Sequence, residues 1–245
     1  MTTRRILKIT GGDRESFLQG LVTNDVAKAR EGLVYAALLT PQGKYIADFF
    51  LKAEEGAILL DAAGEQADDL VRRLSMYKLR ADVAIAETDL ALHRGTGEVP
   101  ADAWADPRHP ALGWRAYRNA PESDDGSDWD AIRVAHCIPE TGIELTPDTF
   151  ILEANFEALN GVDFRKGCYV GQEVTARMKH KTTLRKGLTQ VEIQGQAATG
   201  SEIKSGDKTA GTLLTRSGDT AIAYLRFDRA TGTLHADQAT VTLQA

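Results

Sequence analysis

Lys166-Gly167-Cys168-Tyr169-Val170-Gly171-Gln172-Glu173 is the stretch from which the organisation of this 245-residue chain is read. Gly167 and Gly171 free the backbone to turn tightly on either side of Cys168 and Tyr169. From Gln172 onward the chain can enter a helix that sets Glu173 and Arg177 at i, i+4 spacing. Cys168 then stands near a helix N-terminus beside Arg165 and Lys166, and both features favour thiolate over thiol, the setting of a reactive or metal-ligating cysteine. A free cysteine is more often a small buried hydrophobe, but the flanking glycines and bases weigh here toward a functional thiol. Cys137, after Ala135-His136 in an apolar helical pattern, reads as the structural one. His136 and His180 are both open as partners of Cys168.

The charge around this stretch is lopsided. Residues 165–186 hold seven bases (Arg165, Lys166, Arg177, Lys179, Lys181, Arg185, Lys186) and one acid, Glu173. The whole chain has a net charge of -6, so the remainder is strongly acidic and the positive charge is concentrated in one place, a candidate anion site. A solvated basic helix face is the plain alternative. Nucleic-acid binding finds little support, because no aromatics interleave the bases.

Moving outward, residues 4–9 read as a strand, and Asp13 caps a helix with the apolar face Phe17, Leu18, Leu21 and Val22. Two apolar runs, 34–39 and 45–51, flank Thr40-Pro41-Gln42-Gly43, a turn chemistry that predicts a β-hairpin. A strand at 57–61, a helix carrying Ala67, Leu70, Val71, Leu74 and Tyr77, and a strand at 81–86 complete an α+β pattern. Between 95 and 130 the pattern dissolves into prolines and acids, predicting a loop-rich connection or an irregular second lobe. Trp104, Trp114 and Trp129 read as packing anchors there. Residues 129–137 and 147–159 predict helices, the second containing Glu153 and Asn155. Beyond 185, strand-like runs separated by Ser205-Gly206-Asp207 and Ser217-Gly218-Asp219 predict a small all-β module.

Several classes fall away. Composition, with 42% hydrophobic and 26% charged residues, excludes a disordered or fibrous chain. No apolar run approaches the roughly 20 residues of a membrane span, and the first residues lack a signal-peptide core. Two cysteines 31 positions apart, without metal-ligand spacing, argue against zinc and a disulfide framework and for a reducing, cytoplasmic setting. Gly161 to Gly167 lacks the Gly-Lys-Ser/Thr ending of a phosphate loop, and no dinucleotide, zinc-protease or hydrolase motif is present.

The Lys166 to Glu173 stretch with Arg177 resembles the signature of the YgfZ-type proteins, whose mitochondrial relatives assist iron-sulfur cluster assembly. The similarity extends through Phe17-Leu18-Gln19-Gly20, Thr23-Asn24-Asp25-Val26, Pro41-Gln42-Gly43-Lys44 with Asp48, and Tyr77-Lys78-Leu79-Arg80-Ala81-Asp82-Val83. It is weakest between 87 and 127.

The resemblance implies an α+β fold: a tetrahydrofolate-binding core over 1–184, in one or two lobes, then a C-terminal β-barrel over 185–245, a plan shared with the aminomethyltransferase T-protein of glycine cleavage. It implies a folate site drawing on Asp48, Arg133, Glu153 and Asn155, and on Lys166, Gly167, Tyr169, Gly171, Gln172, Glu173 and Arg177 of the signature, with Cys168 as the functional thiol and no metal. The implied role is an accessory factor for iron-sulfur proteins, a tRNA-modifying enzyme among them, without independent turnover. A folate-dependent transferase and a protein- or RNA-docking module are the rivals. Against the transferase, the T-protein pattern has two consecutive aspartates where this chain reads Ala47-Asp48, and a glutamate two positions after Arg133 where it has Ala135.

Overall fold

The computed structural model describes residues 3–181 and 183–243. The chain divides into two compact units, residues 1–127 with 157–176, and residues 128–156 with 177–245.

In the first unit a five-stranded antiparallel sheet runs in the order β2-β3-β4-β1-β5, built from β1 (Arg4–Thr10), β2 (Val34–Leu39), β3 (Tyr45–Glu54), β4 (Ala57–Ala63) and β5 (Ala84–Glu87). The expected hairpin joins β2 to β3: the Gly43 amide donates to the Thr40 carbonyl at 2.8 Å, and Gly43 takes the positive φ of 76° that favours glycine. Helices α1 (Arg14–Gln19) and α2 (Gly64–Lys78) cover one face through Leu18, Leu70 and Leu74, packed on Leu7, Ile9, Val34, Ala36, Leu38, Phe49, Leu51, Ile58 and Leu60. Asp13 does not cap α1 with its side chain; its carboxylate accepts the Asp82 amide at 2.8 Å.

The stretch expected to be irregular forms a second sheet. Strands β6 (Ala91–Gly95), β7 (Trp104–Ala105), β8 (Trp114–Arg118) and β9 (Ser123–Asp124) lie in the order β7-β8-β6-β9, with β6 and β9 parallel. These strands span two to five residues, too short to display a period-2 pattern between the prolines.

In the second unit α3 (Trp129–Ala135) is shorter than expected, and Cys137 follows it at a positive φ of 49°. The expected helix over 147–159 reduces to one 3-10 turn, Ile151–Ala154, stopped by Asn155 in the left-handed conformation. Helix α4 (Gln172–Lys181) begins at the predicted residue and crosses from one unit to the other. The barrel closes from β10 (Lys186–Gln194), β11 (Glu202–Ser205), β12 (Lys208–Ser217), β13 (Thr220–Arg226), β14 (Leu234–Ala236) and β15 (Ala239–Leu243), in the order β10-β13-β12-β11-β14-β15. Gly206 and Gly218 both sit at φ 58° in the two expected turns. Val191, Ile203, Leu213, Leu225, Leu234 and Val241 fill its interior.

Candidate functional site

Successive side chains of a strand point to opposite faces, so the face of the first sheet away from the helices carries the alternate set: Tyr35 on β2, Asp48, Phe50 and Lys52 on β3, Asp61 on β4. Register aligns Tyr35 with Phe50 and Phe50 with Asp61. All five are buried, so this face places a carboxylate pair and an ammonium out of water.

Asp48 is held by two phenols. Tyr35 Oη donates to its Oδ2 at 3.0 Å and Tyr45 Oη to its Oδ1 at 2.6 Å, while the Gln66 amide oxygen lies 3.1 Å from the Tyr45 hydroxyl. Burial, reinforced by the Asp48 charge, pushes the Tyr35 pKa well above its ordinary value, so Tyr35 stays a donor. The adjacent Ala47 belongs to the opposite, helix-covered core.

Asp61 anchors an ionic chain on the same face. It accepts Arg4 Nε at 2.6 Å, Arg115 Nη2 at 2.6 Å and Tyr117 Oη at 3.1 Å. Burial acts to raise its pKa, but Arg4 and Arg115 outweigh it and hold the carboxyl below the ordinary range. Arg115 Nη1 lies 3.6 Å from Asp106, which takes a two-pronged grip from Arg108 at 3.0 and 2.8 Å. Asp106 is likewise held low against its own burial by Arg108 and Arg115. The guanidinium of Arg115 lies 4.1 Å from the Phe50 ring centroid, and that of Arg108 4.9 Å from Phe50 and 5.5 Å from Tyr35.

Tyr35 also lines a cavity of about 270 Å³ with Asn24, Lys28, Leu33, Val34, Pro107, Asn160 and Val162. Its walls mix polar and apolar groups in about equal measure, with Asn24, Lys28 and Asn160 facing the same space as Leu33, Val34, Pro107 and Val162. Lys28 is paired with Asp163 at 2.7 Å, and Asn24 Nδ2 donates to the carbonyls of Tyr35 and Asn160 at 2.8 and 2.7 Å.

In the signature loop, Lys166 turns inward. Its Nζ donates to the carbonyls of Gln19, Val22 and Asn24 at 2.8, 2.5 and 3.0 Å, so three acceptors meet the three ammonium protons. Burial pulls its pKa down to about 8. Tyr169 is buried, its ring centroid 5.1 Å from Lys166 Nζ. Gly171, at φ 85°, packs so closely that a Cβ would stand 2.7 Å from the Thr40 carbonyl oxygen, which fixes the loop against the hairpin. Gly167 has open space around it instead. Gln172 opens α4, and Gly167, Cys168 and Glu173 are exposed, so the loop is clamped at Lys166 and Gly171 and presents the thiol between them.

The remaining expected residues lie in the second unit, where they join elements of that unit. Arg133 Nη1 donates to Glu144 and to the Ile138 carbonyl at 3.1 Å each, and its Nη2 to Thr215 at 3.2 Å. Glu153 accepts Tyr224 Oη at 2.7 Å, and Asn155 Nδ2 donates to the Cys137 carbonyl at 3.2 Å. Burial pushes the Cys137 thiol up to about 12. Arg177 is exposed on α4. Among the described residues no group of three or more His, Cys, Asp or Glu is placed to hold a metal, and no helix is long and apolar enough to cross a membrane.

The sequence reading missed Tyr35, Tyr45, Asp61, Asp106, Arg108 and Arg115. One signal was available: Asp48, Phe50 and Lys52 recur at period 2 inside an apolar run, marking a second buried face with polar content.

Comparison with known proteins adds three findings. Residues 185–245 match the family described as CAF17, C-terminal beta-barrel domain. The iron-sulfur cluster assembly factor IBA57, mitochondrial, of Mus musculus is 30% identical over 95% of this chain and 78% of its own length, and that of Homo sapiens 30% identical over 89% and 70%. A homolog of the same name in Neurospora crassa is 32% identical over 77% of this chain, which spans 52% of that relative. This chain thus covers about half the length of such fungal relatives. The glycine cleavage system aminomethyltransferase T from Bartonella henselae superposes with a TM-score of 0.78 over 99% of this chain and 83% of its own, at 12% identity, and so shares the fold. The names of these IBA57 relatives include the word mitochondrial, which overturns the expectation of a cytoplasmic protein: the reducing setting inferred from two unpaired cysteines does not distinguish one compartment from another.

Proposed function

The chain belongs to the IBA57 family of iron-sulfur cluster assembly factors, and from that premise we propose that it is a reduced-folate-binding accessory protein supporting the assembly or repair of iron-sulfur proteins, with tRNA-modifying enzymes among its clients, as the YgfZ-type signature implies. The observation that carries the folate reading is the buried Asp48 held by Tyr35 and Tyr45 beside a cavity lined by Tyr35. A buried carboxylate is an acceptor suited to the N–H edge of a pterin, and Leu33, Val34 and Pro107 in the cavity wall suit its flat ring. Tetrahydrofolate, when bound, supplies a carrier for one-carbon units; the chain's own residues hold and orient it. Cys168, displayed on a clamped loop, is the thiol whose loss leaves folate binding intact and removes the support of clients.

Against the transferase alternative stands the absence of its second acid: that position is Ala47, which faces the helix-covered core while Asp48 faces away. Positioned proton transfer contributes about 100- to 10,000-fold to a rate, so binding without turnover is expected.

Calorimetric titration with tetrahydrofolate tests the reading. Asp48→Asn should weaken binding about tenfold or more, as expected for a hydrogen bond to a charged group, and Cys168→Ala should leave it unchanged. An unaltered affinity in Asp48→Asn refutes the site. Ammonia release from an aminomethylated carrier protein at T-protein rates, abolished by Asp48→Ala, would establish the transferase instead.

A further inference from the structure

The C-terminal end of α2 breaks two rules at once. Leu79, which follows the helix, has φ 45° and ψ -104°, and the Ala81 amide donates to the Lys78 carbonyl at 2.8 Å across it. Those angles belong to the first central position of a mirror-image (type II′) turn, a place dominated by glycine. A leucine there is strained by its Cβ, and burial of the side chain is the ordinary compensation. Leu79 receives none: it is 89% exposed, and Met76 and Tyr77 beside it are 72% and 39% exposed. Strain held in the backbone to display an apolar side chain to solvent is a mark of a functional surface.

The rim of this patch is cationic. Lys78 and Arg80 flank Leu79, and Arg72 and Arg73 stand one helical turn before Met76 and Tyr77, with Asp69 shared between these two arginines. The chain as a whole is acidic, at -6. We propose that Met76, Tyr77 and Leu79, ringed by Lys78 and Arg80, form a docking surface for an acidic iron-sulfur client protein, whose carboxylates meet the cations while an apolar pocket takes Leu79. The class of partner rests on the function proposed above; the surface itself does not.

Charge and area select this occupant. A two-fold contact between copies of the chain would set Lys78 and Arg80 of each copy against their like, and the three side chains offer on the order of 400 Å², about half the ~800 Å² per partner of a stable complex. That fits transient docking. A membrane surface suits it less, because the apolar stripe of α2 is already turned into the core through Ala67, Leu70 and Leu74 and cannot lie in a lipid interface.

The test uses the full chain and a labelled [2Fe-2S] ferredoxin rich in surface carboxylates, in apo and cluster-loaded forms, followed by fluorescence anisotropy at low and high salt. Leu79→Gly relieves the turn, so it should melt at or above the wild-type temperature and yet bind ferredoxin at least about tenfold more weakly. Arg80→Glu should weaken binding and flatten its salt dependence. Equal affinity in wild type and Leu79→Gly, or no binding of either ferredoxin form by wild type, overturns the proposal. So does self-association in sedimentation, or capture by phosphatidylserine vesicles, that Leu79→Gly abolishes. Tetrahydrofolate titration of the same samples separates the two readings: folate binding without ferredoxin binding sinks the docking surface alone, whereas loss of both sinks the function on which its partner class rests.

Discussion

The basic run from Arg165 to Lys186 and the inner face of the first sheet both concentrate charge, and they hold it in opposite ways. In the run, Arg165, Arg177, Lys179, Lys181 and Arg185 are exposed, and only Lys166 is buried. Asp48 and Asp61 on the sheet face, and Asp106 and Arg115 packed in the same ionic chain, are all buried, and each meets an opposite charge or a phenol within hydrogen-bonding distance. Exposed charges are screened by water and salt and contribute little to folding. Buried ones must be fully paired, because removing one partner strands the other in a medium that cannot solvate it. The difference teaches that the visible cluster is free to act at long range in solvent, while the hidden one is committed to the packing of the fold.

The largest effect should follow from breaking the hidden cluster. Arg115→Met leaves Asp61 with Arg4 as its only guanidinium partner and loosens Asp106, and should destabilise the protein by about 3–5 kcal/mol in urea unfolding. Lys179→Met, in the exposed run, should stay within about 0.5 kcal/mol. Equal losses would erase the distinction between the regions. The same carboxylates fix the response to acid. The fold holds Asp61 and Asp106 below their ordinary value of 3.8, so the unfolded chain takes up protons first as pH falls. Their contribution is whole above about pH 4 and is lost as the pH drops through the lower folded values. Circular dichroism melts between pH 6 and 2 check this, and Arg115→Met should flatten the decline.

The next effect contrasts the two thiols. Cys137 is pushed up to about 12 by burial, and Cys168 lies exposed on its loop. Near pH 8 the buried Cys137 thiol holds so little thiolate that, even after its higher intrinsic nucleophilicity, its alkylation should be about a hundredfold slower than at an ordinary exposed cysteine. Mass spectrometry after brief iodoacetamide treatment should therefore find the label on Cys168. Faster labelling of Cys137 in the folded protein would break the assignment.

How far the sequence carried the reading follows from the same contrast. The basic run and its glycines are contiguous, so they could be read directly, and the hairpin and the barrel turns were legible because their residues dictate backbone angles. The sheet face was not legible. Its members are spread from Tyr35 to Tyr117, and each strand alternates them with the aliphatic residues that dominate its pattern. Lys166 shows the converse error. It counts with the surface cations in sequence, yet three backbone carbonyls claim its ammonium, and nothing in the local sequence reveals them.

The smallest expected effect separates the regions through the reduced folate proposed above. A reduced folate presents the same pterin whether its tail has one glutamate or several, so a group that meets the pterin must affect both forms alike. Asp48→Asn should therefore weaken the mono- and polyglutamate forms of tetrahydrofolate by the same factor. Lys179 and Lys181 stand exposed on α4, and long-range attraction of a polyanionic tail is the expectation that their charge reversal tests. Exposed pairs are worth about 0.2–1 kcal/mol, so each reversal, Lys179→Glu or Lys181→Glu, should cost the polyglutamate about two- to fivefold and leave the monoglutamate nearly unchanged. Raising the salt should shrink that gap, because the screening length falls to about 3 Å at 1 M. The pterin contribution of Asp48, out of water, should not shrink with it. Calorimetry of both ligands at two salt concentrations distinguishes the outcomes. Equal losses in the lysine variants would remove the run from folate binding and return it to a partner surface, whereas unequal losses in Asp48→Asn would move Asp48 away from the pterin.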